Sequence, residues 1–150
     1  MDRVLQETGF SADCLRLEVT ESLLIENTEQ VKEQLERFRA RGIGLYLDDF
    51  GTGYSTLSYL QQFSFDALKI DRSFILQMSD DGNDTLIQAI LDMAAHFNMA
   101  VVAEGVEHLN QSERLIELGC RRVQGFMYSK PLSAESMTEH LQGTFDYPWC

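Results

Sequence analysis

The chain is poor in basic residues, and this shortage limits the partners that it can bind. Lysine and arginine supply 12 of its 150 residues, against 24 aspartates and glutamates, so the formal net charge is -12. Nucleic-acid polymers and anionic membrane surfaces bind basic patches, so we expect neither as a partner. An anionic small molecule remains compatible with this charge if metal ions bind between it and the carboxylates.

Long apolar runs and paired cysteines are also missing. No window holds 18 consecutive apolar residues, and no basic segment followed by an apolar one opens the chain. We therefore expect no membrane span, no signal peptide and a cytoplasmic location. The cysteines lack Cys-x-x-Cys spacing, and their odd number leaves one over; they are Cys14, Cys120 and Cys150. This pattern predicts reduced thiols rather than disulfides or a zinc site.

The sequence contains instead a repeated alternation of strands and amphipathic helices. Strands are predicted at 14–20, 43–49, 65–71, 99–105 and 121–126. Helices are predicted at 28–42, 55–62 and 84–98, from Asn110 to just before Gly119, and from Ser133 onward. Glu113 would complete a capping box with Asn110. Such alternation is typical of right-handed β-α-β units on a parallel sheet, here within one domain, 1–150.

Side-chain parity along these strands distinguishes between two kinds of parallel sheet. One face of each strand is apolar, and the other face ends in a polar side chain near the carboxyl tip. These tip residues are Glu18, Asp48, Lys69, Glu104 and Gln124. A doubly wound sheet is covered on both faces, so its strands are nearly continuous apolar runs. A barrel gathers polar residues at its carboxyl mouth, so the pattern predicts an α/β, TIM-like (β/α) barrel, here a partial barrel of about five parallel strands.

Two adjacent aspartates, Asp48 and Asp49, stand where the second predicted strand ends, and a Gly-x-Gly turn follows them. Their repulsion is cancelled if they share metal ions with the other carboxylates, which is the function that we predict for them. A dinucleotide-binding glycine loop is the alternative, since Asp71 lies roughly 20 residues further on. Thr56 occupies the third glycine position, however, and the aspartates would face the pyrophosphate, which argues against that loop.

Five motifs follow one another along the chain. They are LEVTES (17–22), DDFGTGYS (48–55), LKIDRSFI (68–75), VAEGVE (102–107) and QGFMYSKP (124–131). Together they resemble the motifs of the EAL domain family, bacterial phosphodiesterases that linearise cyclic di-GMP. The resemblance implies a TIM-like barrel, two Mg²⁺ or Mn²⁺ ions, and the linear product pGpG. It also implies a homodimer, and a parent protein in which a sensory or diguanylate cyclase-like domain precedes this one and for which tethering to a membrane stays open.

The resemblance assigns a role to each matching residue. The implied metal ligands are Glu18, Asp48, Asp49 and Glu104. Lys69 matches a lysine that positions or deprotonates the attacking water, unless it is simply an ion-pair partner, and Gln124 matches a polar residue near that water; Glu104 is counted with both as catalytic. The implied substrate or loop residues are Glu21, Phe50, Gly51, Thr52, Gly53, Tyr54, Ser55, Asp71, Glu107 and Pro131. For Asp71 a structural hydrogen bond, and for Glu107 an exposed surface position, is the alternative.

Part of the family pattern does not occur in these 150 residues. The Glu-Ala-Leu segment that names the family is absent, as is the asparagine motif of its next strand, which supplies a further metal ligand. The first residues resemble the end of the helix before the family's fourth strand. We therefore expect the C-terminal part of one EAL-type domain, weakly active or inactive alone. The alternative function is a non-catalytic EAL-like module that senses cyclic di-GMP or binds a protein.

Overall fold

A computed structural model describes residues 1–25, 29–51, 57–78 and 84–143. Five parallel strands form one sheet: β1 (Arg16–Thr20), β2 (Gly44–Phe50), β3 (Ala67–Ile70), β4 (Ala100–Glu104) and β5 (Arg122–Gln124). Their order in the sheet is their order in the chain. A doubly wound sheet would reverse its strand order at a switch point. The sequential order is that of a barrel wall, and the predicted α/β class with five parallel strands is confirmed.

Helices connect the strands. They are α1 (Asp2–Thr8), α2 (Glu21–Ile25), α3 (Glu29–Arg39), α4 (Leu57–Gln62), α5 (Arg72–Leu76), α6 (Thr85–His96), α7 (Leu109–Glu117) and α8 (Ala134–Gln142). The sequence did not predict α1, α2 and α5, because five to seven residues are too few to show a helical period.

The predicted cap of α7 is wrong, whereas that of α8 is confirmed. The side-chain oxygen of Gln111, not of Glu113, accepts the backbone N–H of His108 at 3.1 Å, so α7 begins one residue earlier than the predicted Asn110. At α8 the Ser133 hydroxyl accepts the backbone N–H of Ser136 at 3.2 Å. Both arrangements satisfy N–H groups that the first turn of a helix leaves unpaired.

The apolar face of the sheet forms the core under the helices. Among its residues, Leu45, Leu47, Leu68, Ile70 and Ala103 are at most 1% exposed. Burying each large aliphatic side chain contributes roughly 1.5–3 kcal/mol. The opposite face, which carries the polar tips, is more open, and Glu18 on it is exposed. The sheet therefore presents its polar tips to solvent.

Two further expectations from composition can be compared with the structure. Within the described ranges, no helix combines the length and the apolar character needed to cross a bilayer. Cys14 is exposed, Cys120 is buried, and both are free thiols, as predicted. Cys150 lies outside the described residues.

Candidate functional site

The polar tips of four strands meet at one lysine. The Nζ atom of Lys69 lies 2.6 Å from Oε1 of Glu18, 3.2 Å from Oδ1 of Asp48 and 2.8 Å from Oε1 of Glu104. The Lys69 side chain is 5% exposed, whereas that of Glu18 is 49% exposed. Strands β1, β2 and β4 thus each contribute one carboxylate to an ammonium held on β3, at an edge that solvent can reach.

A β-bulge explains how two adjacent aspartates serve the same edge. Regular alternation would place Asp48 and Asp49 on opposite faces of the sheet. The pairing advances three residues along β2, from Leu47 to Phe50, but only two along β3, so both aspartates oppose Lys69. Asp49 is the extra residue, with φ 54°, a left-handed conformation that aspartate tolerates. Its backbone N–H donates to Oδ1 of Asp48 at 3.0 Å.

The concentration of carboxylates shifts the pKa values at this edge. Burial raises the pKa of Asp49, and the charges of Asp48 and Asp71 raise it further. Burial also raises the pKa of Glu104, although the Lys69 ammonium opposes this shift. Burial alone would lower the pKa of Lys69, but its hydrogen bonds to the carboxylates raise that pKa overall. The lysine is therefore charged at neutral pH.

The donor atoms and the charge at this edge fit a divalent cation. Glu18, Asp48, Asp49 and Glu104 supply four carboxylates against the single ammonium of Lys69, which leaves an excess of negative charge. Carboxylate oxygens are the ligands that Mg²⁺ and Mn²⁺ prefer. In the part of the chain that the structure describes, no three His, Cys, Asp or Glu residues are arranged to hold a metal ion. The donors are suitable, but the ammonium lies where they converge.

Glu21 connects the start of α2 to the turn that follows the aspartate pair. Its side chain is buried, and Oε2 accepts the backbone N–H of Gly51 at 3.3 Å. Its Oε1 atom is also buried and has no hydrogen-bond partner among the described residues. Gly51 has φ +91°, and a Cβ there would lie 2.7 Å from the Phe74 ring. Both the conformation and the close ring therefore require glycine.

The loop motif lies partly outside the described residues. Phe50, which the sequence assigned to the loop, is instead the last residue of β2, and its side chain is buried in the core. Because the bulge shifts the alternation by one residue, Phe50 points inward where the aspartates do not. The remaining loop predictions fall outside the described residues: Thr52, Gly53, Tyr54 and Ser55.

The other predicted residues occupy different surroundings. Asp71 caps α5 by accepting the backbone N–H of Ser73 at 3.0 Å, and this hydrogen bond lowers its pKa. Gln124 is the register partner of Glu104 and is exposed at the same edge. Pro131 is exposed between β5 and α8.

Sequence reasoning missed Arg72, which belongs to this neighbourhood. Its Nη2 atom lies 2.6 Å from Oε1 of Glu107. Both side chains line a cavity of about 250 Å³ beside Glu104, together with Gln124 and Phe126. The signal available in the sequence was a charged residue directly after the end of a predicted strand.

Comparison with known proteins gives consistent matches. The sequence model of the EAL domain matches residues 1–131. The cyclic di-GMP phosphodiesterase NbdA of Pseudomonas aeruginosa is 46% identical over 139 residues, which are 92% of this chain and 18% of NbdA. The chain spans about a fifth of the length of the curated relatives that it matches.

Solved structures show the same similarity. The EAL domain of Mycobacterium smegmatis DcpA gives a TM-score of 0.86 at 36% identity, covering 93% of this chain and 63% of that one. The manganese and cyclic di-GMP complex of Klebsiella pneumoniae BlrP1 gives a TM-score of 0.77 at 33% identity, covering 86% of this chain and 33% of that one.

Proposed function

Because this chain belongs to the EAL domain family, we propose that it is part of a metal-dependent phosphodiesterase that hydrolyses cyclic di-GMP to linear pGpG. The observation that carries the proposal is the convergence of Glu18, Asp48 and Glu104 on Lys69, with Asp49 bulged beside them. NbdA, a cyclic di-GMP phosphodiesterase, supports the choice of substrate.

The four carboxylates are the groups that would hold Mg²⁺ or Mn²⁺: Glu18, Asp48, Asp49 and Glu104. When bound, such ions polarise the phosphodiester and activate water near neutral pH. The BlrP1 complex, which contains manganese and cyclic di-GMP, supports the metal and the ligand.

The chain's own side chains contribute positioning and proton transfer. Lys69 is charged and buried, so it can donate hydrogen bonds to a phosphate oxygen or to the attacking water. It cannot accept a proton while three carboxylates hold it. Glu104, whose pKa burial raises, is the better acceptor of a proton from water. Gln124, beside Glu104 across the β4–β5 pairing, is placed to orient the same water.

The parent protein would contain more than this domain. Since the chain spans about a fifth of its curated relatives, a preceding sensory or diguanylate cyclase-like domain has room there. A homodimer is proposed on the same family basis. A cytoplasmic location agrees with the free thiols Cys14 and Cys120.

Binding of cyclic di-GMP without hydrolysis is the second candidate function. One observation favours it: among the described residues, no three acidic, histidine or cysteine side chains form an arrangement ready for a metal ion. Such a module would sense the nucleotide or bind a protein partner through it.

The experiment that separates these functions compares products with binding. The chain is incubated with cyclic di-GMP in Mn²⁺ or in EDTA, and with cyclic di-AMP as the matched nucleotide, and products are separated by chromatography. We expect pGpG from cyclic di-GMP in Mn²⁺ alone. Calorimetric binding of cyclic di-GMP without any product would support the sensor function, and neither binding nor product would contradict both.

A further inference from the structure

Arg72 joins two segments that carry proposed catalytic residues. Its Nη2 atom lies 2.6 Å from Oε1 of Glu107. Arg72 is the first residue of α5, and β3, which carries Lys69, ends two residues before it. Glu107 lies three residues beyond Glu104, the last residue of β4. The ion pair therefore links the carboxyl ends of β3 and β4.

The aliphatic stem of Arg72 passes directly over Gly105. A Cβ atom on Gly105 would lie 2.6 Å from Cβ and 2.7 Å from Cδ of Arg72, and closer still to its Cγ. Gly105 also has φ +73°, a conformation that favours glycine. The glycine directly after Glu104 thus leaves the space that the arginine occupies.

Hydrogen bonds fix the segment after β4 on its other side. The backbone N–H of Val106 donates to the carbonyl oxygen of Gln124 at 3.1 Å, and that of Met127 donates to the carbonyl oxygen of Val106 at 3.1 Å. The backbone N–H of Glu107 donates to Oε1 of Gln111 at 2.9 Å. These bonds hold the segment to β5 and α7, while the Arg72 side chain ties it to the end of β3.

An ion pair this exposed contributes little to global stability, so its effect has to be sought in local geometry. The Arg72 side chain is 52% exposed and that of Glu107 is 29% exposed. What the pair can fix is the position of Glu104, whose Oε1 lies 2.8 Å from Nζ of Lys69. A shift of about 1 Å in such a contact can cost about 100-fold in rate.

We propose that Arg72 is a positioning residue: its stem on Gly105 and its guanidinium on Glu107 hold Glu104 opposite Lys69. The kinetic consequence rests on the proposed phosphodiesterase function. The contact itself can be tested without catalysis, so failure of one is distinguishable from failure of the other.

The first arm of the test measures the segment directly, by hydrogen exchange at the hydrogen-bonded amides of Val106 and Glu107. We expect Arg72→Ala to accelerate their exchange about tenfold, because local opening becomes easier while the global unfolding midpoint is unchanged. Gly105→Ala should do the same by displacing the stem. Arg72→Lys, which keeps the stem and the charge, should retain most of the protection. Arg37→Ala, which removes another exposed ion pair, with Glu33 on α3, is the matched control.

The second arm measures the single-turnover rate constant in Mn²⁺ and the dissociation constant for cyclic di-GMP. Arg72→Ala should lower the rate constant about tenfold or more, while the dissociation constant stays within about twofold. Arg72→Lys should recover most of the rate.

Three results decide against the proposal or between it and the proposed function. Weaker binding with an unchanged rate would mean that Arg72 contacts substrate, and unchanged exchange would mean that the ion pair positions nothing; either overturns the proposal. If the unmodified chain forms no pGpG, the proposed function fails, and the exchange arm alone decides the role of Arg72.

Discussion

Lys69 holds the metal-free site together, because its ammonium contacts three carboxylates that would otherwise repel one another. We expect Lys69→Met to destabilise the chain by roughly 1–3 kcal/mol in EDTA. Mn²⁺ should recover most of this loss, since a divalent cation takes over the neutralisation. Urea unfolding in EDTA and in Mn²⁺ measures both effects, with Lys32→Met as the control. A variant that is as stable as the unmodified chain in EDTA, or one that Mn²⁺ does not help, would contradict this role.

Asp49 destabilises the metal-free chain at neutral pH. Burial and the charges of Asp48 and Asp71 raise its pKa above the ordinary 3.8, so the folded chain binds the proton more tightly than the unfolded one. The stability from this group is fully present below the unfolded pKa and is lost as the pH rises through the raised folded pKa.

Asp49→Asn should therefore stabilise the metal-free chain at neutral pH. The substitution removes the charge and keeps a residue that tolerates the left-handed conformation. We expect a gain of about 0.5 kcal/mol, kept small by solvent screening, that disappears below about pH 4. Urea unfolding in EDTA at both pH values measures it. A gain of equal size at both pH values would show that charge is not the cause.

Among the elements, the turn at the end of β2 depends on the absence of a side chain at Gly51. Alanine there should lose about 1–2 kcal/mol for the left-handed conformation, and roughly a further 1–3 kcal/mol for the clash with Phe74. Gly119 has nearly the same φ, +93° against +91°, but a Cβ there would meet nothing within 4 Å, so Gly119→Ala isolates the first cost. Urea unfolding compares the two variants. Equal losses would show that the Phe74 contact is unimportant.

The sequence predicted the strands and their polar tips because parity depends on local alternation alone. The convergence of Glu18, Asp48 and Glu104 on Lys69 follows from that parity once the strands pair in order. The bulge could not be read in the same way, because alternation places Asp49 on the face opposite Asp48. Its position depends on pairing with β3, a contact between distant parts of the chain.

Short elements and side-chain crossings were also beyond sequence reasoning. Helix α5 has five residues, too few for a hydrophobic period, so the sequence gave no reason to expect Asp71 as its cap. The contact of Arg72 with Gly105 and Glu107 depends on how two loops approach each other. Neither a propensity nor a period encodes such an approach.

The whole molecule has an open sheet edge. Within the described residues, β1 pairs with β2 alone, so the outer side of Arg16–Thr20 presents backbone groups that can pair with another chain. Exposed apolar side chains such as Leu141 and Ile116 add surface that favours association. We expect concentration-dependent self-association, measured by light scattering as a mass above the 17.1 kDa of the monomer. A sharp monomer at the highest concentration would contradict it.

Slow steady-state turnover is expected of these 150 residues on their own. The described carboxylates contact Lys69 and form no arrangement ready for a metal, so they must rearrange when a cation binds. Ligand number and rigidity set metal affinity, so Mn²⁺ should bind weakly.

Product formation under single-turnover conditions, with protein in excess over cyclic di-GMP, tests the proposed phosphodiesterase most directly, because slow hydrolysis remains visible. The chain, its Asp48→Asn variant and a remote control, Glu33→Gln on α3, are compared in Mn²⁺ and in EDTA. The predicted result is pGpG formation in Mn²⁺ by the chain and by the control, and none in EDTA or by Asp48→Asn. No pGpG from the chain in Mn²⁺, or equal formation by Asp48→Asn, would contradict a metal-dependent phosphodiesterase at this site.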